Sequence, residues 1–215
     1  MEDVSIIYTH WASTPERSRI MRDSMESLLR TAPSAEIIVC DNGGSYEDSE
    51  YLLRLCDTGR IASYTRYREN MHFFYARNDG LRRASRKWLA VSDNDILFAE
   101  GWLAGCVLWL SGAPGKYLAT PIKADWMNGI RPDRWKGELN GWKLNQRAGS
   151  NIWVMRKEDY AAIGEFDIHP AAGSKWCDKF VRMGYLMGVM PTPKAFDMAF
   201  RAGYNHRNAI ERFNL

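Results

Sequence analysis

Asp93 and Asp95 carry the clearest chemical potential in the chain, in the stretch "AVSDNDILF" at 90–98. An apolar run is interrupted by Asp93, Asn94 and Asp95 and resumes at once with Ile96, Leu97 and Phe98. Residues i and i+2 of an extended backbone point the same way, so the spacing predicts two carboxylates side by side at the end of a buried strand. Two such anions repel each other unless something positive lies between them. A hard divalent cation fits, because it takes a few carboxylates together with phosphate oxygens and neutralises the charge that develops on a departing diphosphate. Taken in isolation, the same tripeptide also reads as an exposed acidic turn.

The elements that must position this pair alternate. Val4 to Tyr8 is a short β run, followed by a helix with Ser13 or Thr14 as N-cap, Pro15 just inside, and Ile20, Met21, Met25, Leu28 and Leu29 on one face. "AEIIVCDNGGS" is an apolar strand that ends in Asp41, Asn42 and two glycines. Tyr46 to Cys56 reads as a helix, Ile61 to Tyr67 as a strand, Asn78 to Arg86 as a helix, and a fourth strand runs into the Asp-Asn-Asp turn. Further strands are expected at Tyr117 to Ile122 and Asn151 to Arg156. Such alternation predicts a mostly parallel sheet flanked by helices, with ligands beyond the carboxyl ends of its strands. Asp41, Asp93 and Asp95 all fall at such ends.

Composition sets the bounds. The chain has 215 residues, 46% hydrophobic and 26% charged, which suits one globular domain. A net charge of +3 is too small to argue by itself for a nucleic-acid protein. Cys40, Cys56, Cys106 and Cys177 are scattered with no C-x-x-C pair, and read as reduced thiols of a cytoplasmic protein rather than a zinc site. "MEDVSIIYTHW" is neither a signal nor a transit peptide, and "GWLAGCVLWLSGAPG" falls short of the roughly 20 residues a membrane span requires.

"VSIIYTHWASTPERSRIMRDSMESLL", "IIVCDNGGS", "NMHFFYARNDGLRRAS", "WLAVSDNDILF" and "GSNIWVMRKEDYAAIGEFD" follow one another in an order and spacing that resembles the family 2 glycosyltransferases of GT-A fold. The resemblance runs from Val4 to about Gly184. It implies a single GT-A domain over 1–215, Rossmann-like, with a nucleotide-sugar-binding half at 1–100 and a C-terminal acceptor-binding half at 101–215. The implied activity is inverting, metal-dependent transfer of one sugar from a nucleotide-sugar, with a UDP-sugar favoured, to an acceptor hydroxyl.

The resemblance also implies roles. Asp95 would coordinate Mn²⁺ or Mg²⁺ directly, and Asp93 would bind through a water or to the ribose. Asp41 is similar to the residue that hydrogen-bonds uracil or ribose, a role its strand-end position favours over the alternative of an Asx-turn into Gly43 and Gly44. Thr9, Arg17 and Arg77 flank the same nucleotide, while Asn78 reads as a helix cap. His206, in "GYNHRN", stands where relatives supply a further metal ligand, ahead of His10, His72 and His169. An inverting enzyme needs a general base, and Asp178 in "GSKWCDKFVRMGY" fits, with Asp167 as the runner-up. Cys177 stands where the family usually has Glu.

The stretch from Lys123 to Arg147 reads as a loop beside the acceptor. Trp126, Trp135 and Trp142 offer flat faces for a sugar or a base, unless they anchor the loop to the core. Arg131, Arg134, Lys136, Lys143 and Arg147 outnumber Asp133 and Glu138, which favours an anionic acceptor. The Q-x-x-R-W signature of processive synthases is absent, so single-sugar transfer is preferred. The acceptor is a glycan or, as an alternative, a hydroxylated base in DNA. A sugar-nucleotidyltransferase would open with a Gly-rich loop that "YTHWASTPERSR" lacks, and a non-catalytic nucleic-acid-binding module would leave the paired Asp residues unexplained.

Overall fold

In the computed structural model, described over residues 3–12, 14–121, 134–146, 151–168 and 172–198, alternation builds the first half as expected. Strand β1 (Val4–His10) is buried at every position. Helix α1 (Pro15–Thr31) starts at Thr14, whose hydroxyl accepts from the Arg17 amide, and buries Ile20, Met21, Met25, Leu28 and Leu29. Then come β2 (Glu36–Asp41), α2 (Tyr46–Asp57), β3 (Ser63–Arg66), α3 (Phe73–Arg83) and β4 (Trp88–Asp93). After a two-residue turn follow β5 (Ile96–Phe98), α4 (Trp102–Gly112), β6 (Tyr117–Thr120), β7 (Trp135–Leu139), β8 (Trp142–Asn145), β9 (Ile152–Arg156), α5 (Lys157–Ile163), α6 (Ala172–Arg182), β10 (Leu186–Val189) and β11 (Ala195–Asp197).

The main sheet has the order β3-β2-β1-β4-β9-β6-β10-β8-β7. It is parallel from β3 to β4 and mixed beyond, where β9 joins β4 antiparallel. The chain moves outward from β1 to β3 and then returns to place β4 on the other side of β1. That reversal opens a crevice at the carboxyl ends of β1 and β4, the place where sheets of this kind bind ligands. Thr9 and Asp93 are register partners there.

Alternation along the strands sorts the core into two layers. Ile6, Tyr8, Val39 and Ala90 pack with α1, α2 and α4, whereas Ile7, Cys40, Leu89 and Val91 pack with α3, α5 and α6. β5 and β11 form a separate antiparallel pair, and Met198 just beyond it donates its amide to the Asp95 carbonyl at 2.7 Å. The end of β11 therefore lies against the Asp-Asn-Asp turn.

Two expectations are corrected. Helix α3 begins at Phe73 rather than Asn78, so Asn78 does not cap it. Asn78 is buried inside the helix and exchanges two hydrogen bonds with the backbone of Phe166, at 2.8 and 3.1 Å. Part of the presumed loop at 123–147 is instead a hairpin, β7–β8, in which Leu139 pairs with Trp142 across Asn140 and Gly141. Both turn residues have positive φ, 50° and 78°, as a two-residue hairpin turn requires.

Candidate active site

Asp93 ends β4, and its Oδ1 accepts from Arg77 Nη2 at 2.6 Å. Arg77 is fully buried, and its guanidinium lies 4.1 Å from the Phe73 ring centre. This is a costly place for a cation, which Asp93 and the aromatic face together compensate. Burial nonetheless pushes the Asp93 carboxyl up to about 7; the pull of Arg77 opposes the rise and the charge of Asp197 adds to it. Asp95 is also raised well above the usual carboxylate range, first by burial and then by Asp93 and Asp197, with Arg17 acting against them. Its Oδ1 is buried without a hydrogen-bond partner.

Asp197 is the participant that the sequence reading missed. It is buried at the end of β11, is held by the Asn151 side-chain amide, and its charge acts on both Asp93 and Asp95. Asn151 also accepts the Asp93 amide through its carbonyl at 2.9 Å, so one residue ties the two strand ends together. The sequence signal was slight, a single Asp closing the short run "AFD".

The other predicted residues divide. Thr9 is buried next to Asp93 in register, and its hydroxyl also has no partner. Arg17 is exposed, yet its charge reaches Asp95. Asp41 is fully buried and heavily committed. It accepts from the Gly44 amide at 2.8 Å, from Ser49 Oγ at 2.7 Å and from Tyr64 Oη at 2.7 Å, with Arg66 3.7 Å away. The Asx-turn reading thus has its geometry here. Asp178 lies half-buried in the second half of α6, on a helix that buries Trp176, Cys177 and Phe180. Asp167 is exposed.

Of the tryptophans, Trp142 is buried and stacks on Trp109 at 4.7 Å and 14°. That stacking matches the reading in which the tryptophan anchors its segment to the core. Trp135 is half-buried on the edge strand, with Lys143 Nζ 5.3 Å from its ring centre. Trp126 and His206 lie outside the described residues. Among the described residues, no group of three or more His, Cys, Asp or Glu side chains is arranged to hold a metal ion. The donor set suits a divalent ion even so, since Asp95 presents a buried, partnerless carboxylate oxygen and such ions take only one or two carboxylates when phosphates supply the rest.

The family model for glycosyl transferase family 2 matches residues 14–168, and the chain belongs to that family. No curated protein sequence matches it. Its fold is the GT-A fold of solved glycosyltransferases. It is similar to the mannosyltransferase PcManGT from Pyrobaculum calidifontis in complex with GDP-Man and Mn²⁺, at 19% identity and TM-score 0.66, covering 98% of this chain and 60% of that one. It is also similar to GalNAc-T7 with UDP, GalNAc and Mn²⁺, at 15% identity and TM-score 0.70, covering 94% and 44%. A third similar structure is TarS of S. aureus, at 12% identity and TM-score 0.69, covering 91% and 36%. The chain spans 60% or less of the length of these relatives. Among the described residues, no helix is long and apolar enough to cross a membrane.

Proposed function

We propose that the chain is an inverting glycosyltransferase that moves one sugar from a nucleotide-sugar, a UDP-sugar before others, to an acceptor hydroxyl. The observation that carries this reading is the pair of half-buried carboxylates at the β1/β4 crevice, one paired to Arg77 and the other with a buried oxygen that no protein group satisfies. Asp95 would hold Mn²⁺ or Mg²⁺, and Asp93 would hold the ribose or a water of the ion. When bound, the ion neutralises charge on the departing diphosphate. Mn²⁺ in two of the similar structures supports this choice of ion.

Arg77 keeps Asp93 anchored on its α3 side. Arg17, exposed at the start of α1, offers its charge toward the open side of Asp95. On the acceptor side Asp178 is proposed to take the hydroxyl proton as the oxygen attacks the anomeric carbon and the bond to the diphosphate breaks. Trp135 on the edge hairpin is the aromatic that remains available for the acceptor among Trp135 and Trp142. A screen of nucleotide-sugars for hydrolysis in Mn²⁺ tests the reading without knowledge of the acceptor. Turnover of one donor above the rest, abolished by Asp95→Asn, is the expected result; no turnover of any nucleotide-sugar would contradict it.

A further inference from the structure

We propose that His10 is a positioning residue for the Asp-Asn-Asp turn, acting through Asn94; the inference rests on the reading that this turn holds the donor and its ion. Asn94 is fastened at three points. Its Nδ2 donates to the Trp11 carbonyl at 2.9 Å and meets His10 Nδ1 at 3.0 Å, while its own carbonyl shares the Tyr8 hydroxyl, at 3.3 Å, with the Met21 carbonyl at 3.2 Å. All three partners come from the end of β1 and the residue after it. The middle residue of the turn is thus turned away from the carboxylates and bolted to the neighbouring strand.

The donor and acceptor roles follow from chemistry. A backbone carbonyl only accepts, so the atom of Asn94 facing Trp11 must be the amide nitrogen. That nitrogen only donates, so Nδ1 of His10 must be the acceptor and the ring proton sits on Nε2. Nε2 faces Asp48 Oδ2 at 3.6 Å, and both side chains are fully buried. Asp48 is itself fixed by Ser18 Oγ at 2.6 Å, by Arg22 Nη2 at 3.5 Å, and through its amide by Ser45 Oγ at 3.2 Å. A chain of contacts therefore runs from α1 and α2 through Asp48 and His10 to Asn94, and so to the placement of Asp93 and Asp95. Gly44 leaves room for it, since a Cβ there would stand 2.4 Å from His10 Nε2.

Partners that orient metal-binding side chains usually cost about 10- to 100-fold in metal affinity when removed. Two substitutions of His10 separate positioning from space-filling. In His10→Asn the side-chain oxygen can take the place of Nδ1 and still accept from Asn94, whereas His10→Gln fills more of the site but reaches past Asn94 toward Asp48. Calorimetry of UDP with Mn²⁺ and with EDTA, alongside a thermal melt, is the test. The expected result is that His10→Asn keeps Mn²⁺-dependent UDP affinity within about threefold, while His10→Gln loses about tenfold or more. Asn94→Ala, at a half-buried turn position that leaves the core intact, should show the same loss and serves if the His10 variants do not fold. Equal affinities for the Asn and Gln variants, a better Gln variant, or an Asn94→Ala protein that binds like the parent would overturn the role of His10 and leave the donor site standing. A parent protein that binds UDP equally well in Mn²⁺ and EDTA would overturn both.

Discussion

Arg77 and Asp93 form an ion pair at 2.6 Å in which the guanidinium is wholly buried and the carboxylate is partly open to the crevice. The asymmetry gives each partner a separate task. Arg77 lies against the Phe73 ring and is closed to solvent, so any influence it has on a bound donor is expected to pass through Asp93. Removing one member of a buried pair costs about 3 to 5 kcal/mol because the other is left uncompensated. Arg77→Met should therefore lower the melting temperature strongly, and Arg77→Met combined with Asp93→Asn should recover part of the loss. A double variant less stable than the single one, by thermal denaturation, would contradict this.

Stability should also fall with rising pH when no ion is bound. Burial lifts Asp93 to about 7 and raises Asp95, whereas a free Asp titrates near about 3.9. Between those values the folded state binds more protons than the unfolded one, so stability decreases as pH rises through the window. Asp48 acts in the opposite sense: despite its burial, His10 and Ser18 hold it at about 2, so its contribution is present above about pH 4 and is lost only in acid. Melting in EDTA should be higher at pH 5 than at pH 8, with Asp93→Asn flattening the difference. A profile that rises from pH 5 to pH 8 would show that the turn is not protonated as described.

Trp142 and Trp135 should respond differently to truncation. Trp142→Ala opens a cavity beside Trp109 and is expected to cost about 3 to 5 kcal/mol of stability. Trp135→Ala should leave the melt nearly unchanged and raise the Michaelis constant for acceptor without altering donor hydrolysis. If the acceptor is DNA, that constant should also rise steeply between low and moderate salt, and a neutral glycan should show no such slope.

Asp178→Asn should reduce transfer about 10²-fold or more while donor affinity stays near that of the parent, because a base acts on the acceptor. Transfer within a few-fold of the parent would move the role to another carboxylate, with Asp167→Asn as the next variant to assay.

The first half of the fold was legible because β1, β2 and β4 are short, nearly continuous apolar runs, because α1 keeps a clean period of 3.6, and because Thr14, Pro15 and Ser45 mark helix starts in the usual way. Helix α3 was read five residues late. Its cap is His72 at φ 76°, an unusual cap, and its first turn is aromatic. The β7–β8 hairpin carried an Asn140-Gly141 signal, but Trp and Lys in place of aliphatics hid the strands around it. Asp93 and Asp95 were legible as a pair because both lie in one tripeptide. Asp197 was not, since a three-residue strand brings it from a hundred residues downstream. Nor could spacing show that Arg77 is buried against Asp93, or that Asp41 spends its oxygens on Gly44, Ser49 and Tyr64.

Asp95 and a divalent ion are together expected to hold the nucleotide diphosphate. Calorimetric titration of UDP and of GDP into the protein, in Mn²⁺, in Mg²⁺ and in EDTA, repeated with Asp95→Asn, measures this directly. Binding of one nucleotide in the presence of either ion is expected, with loss of that binding both in EDTA and in the variant. Equal affinity with and without the ion, or an Asp95→Asn protein that binds as tightly as the parent, would contradict it.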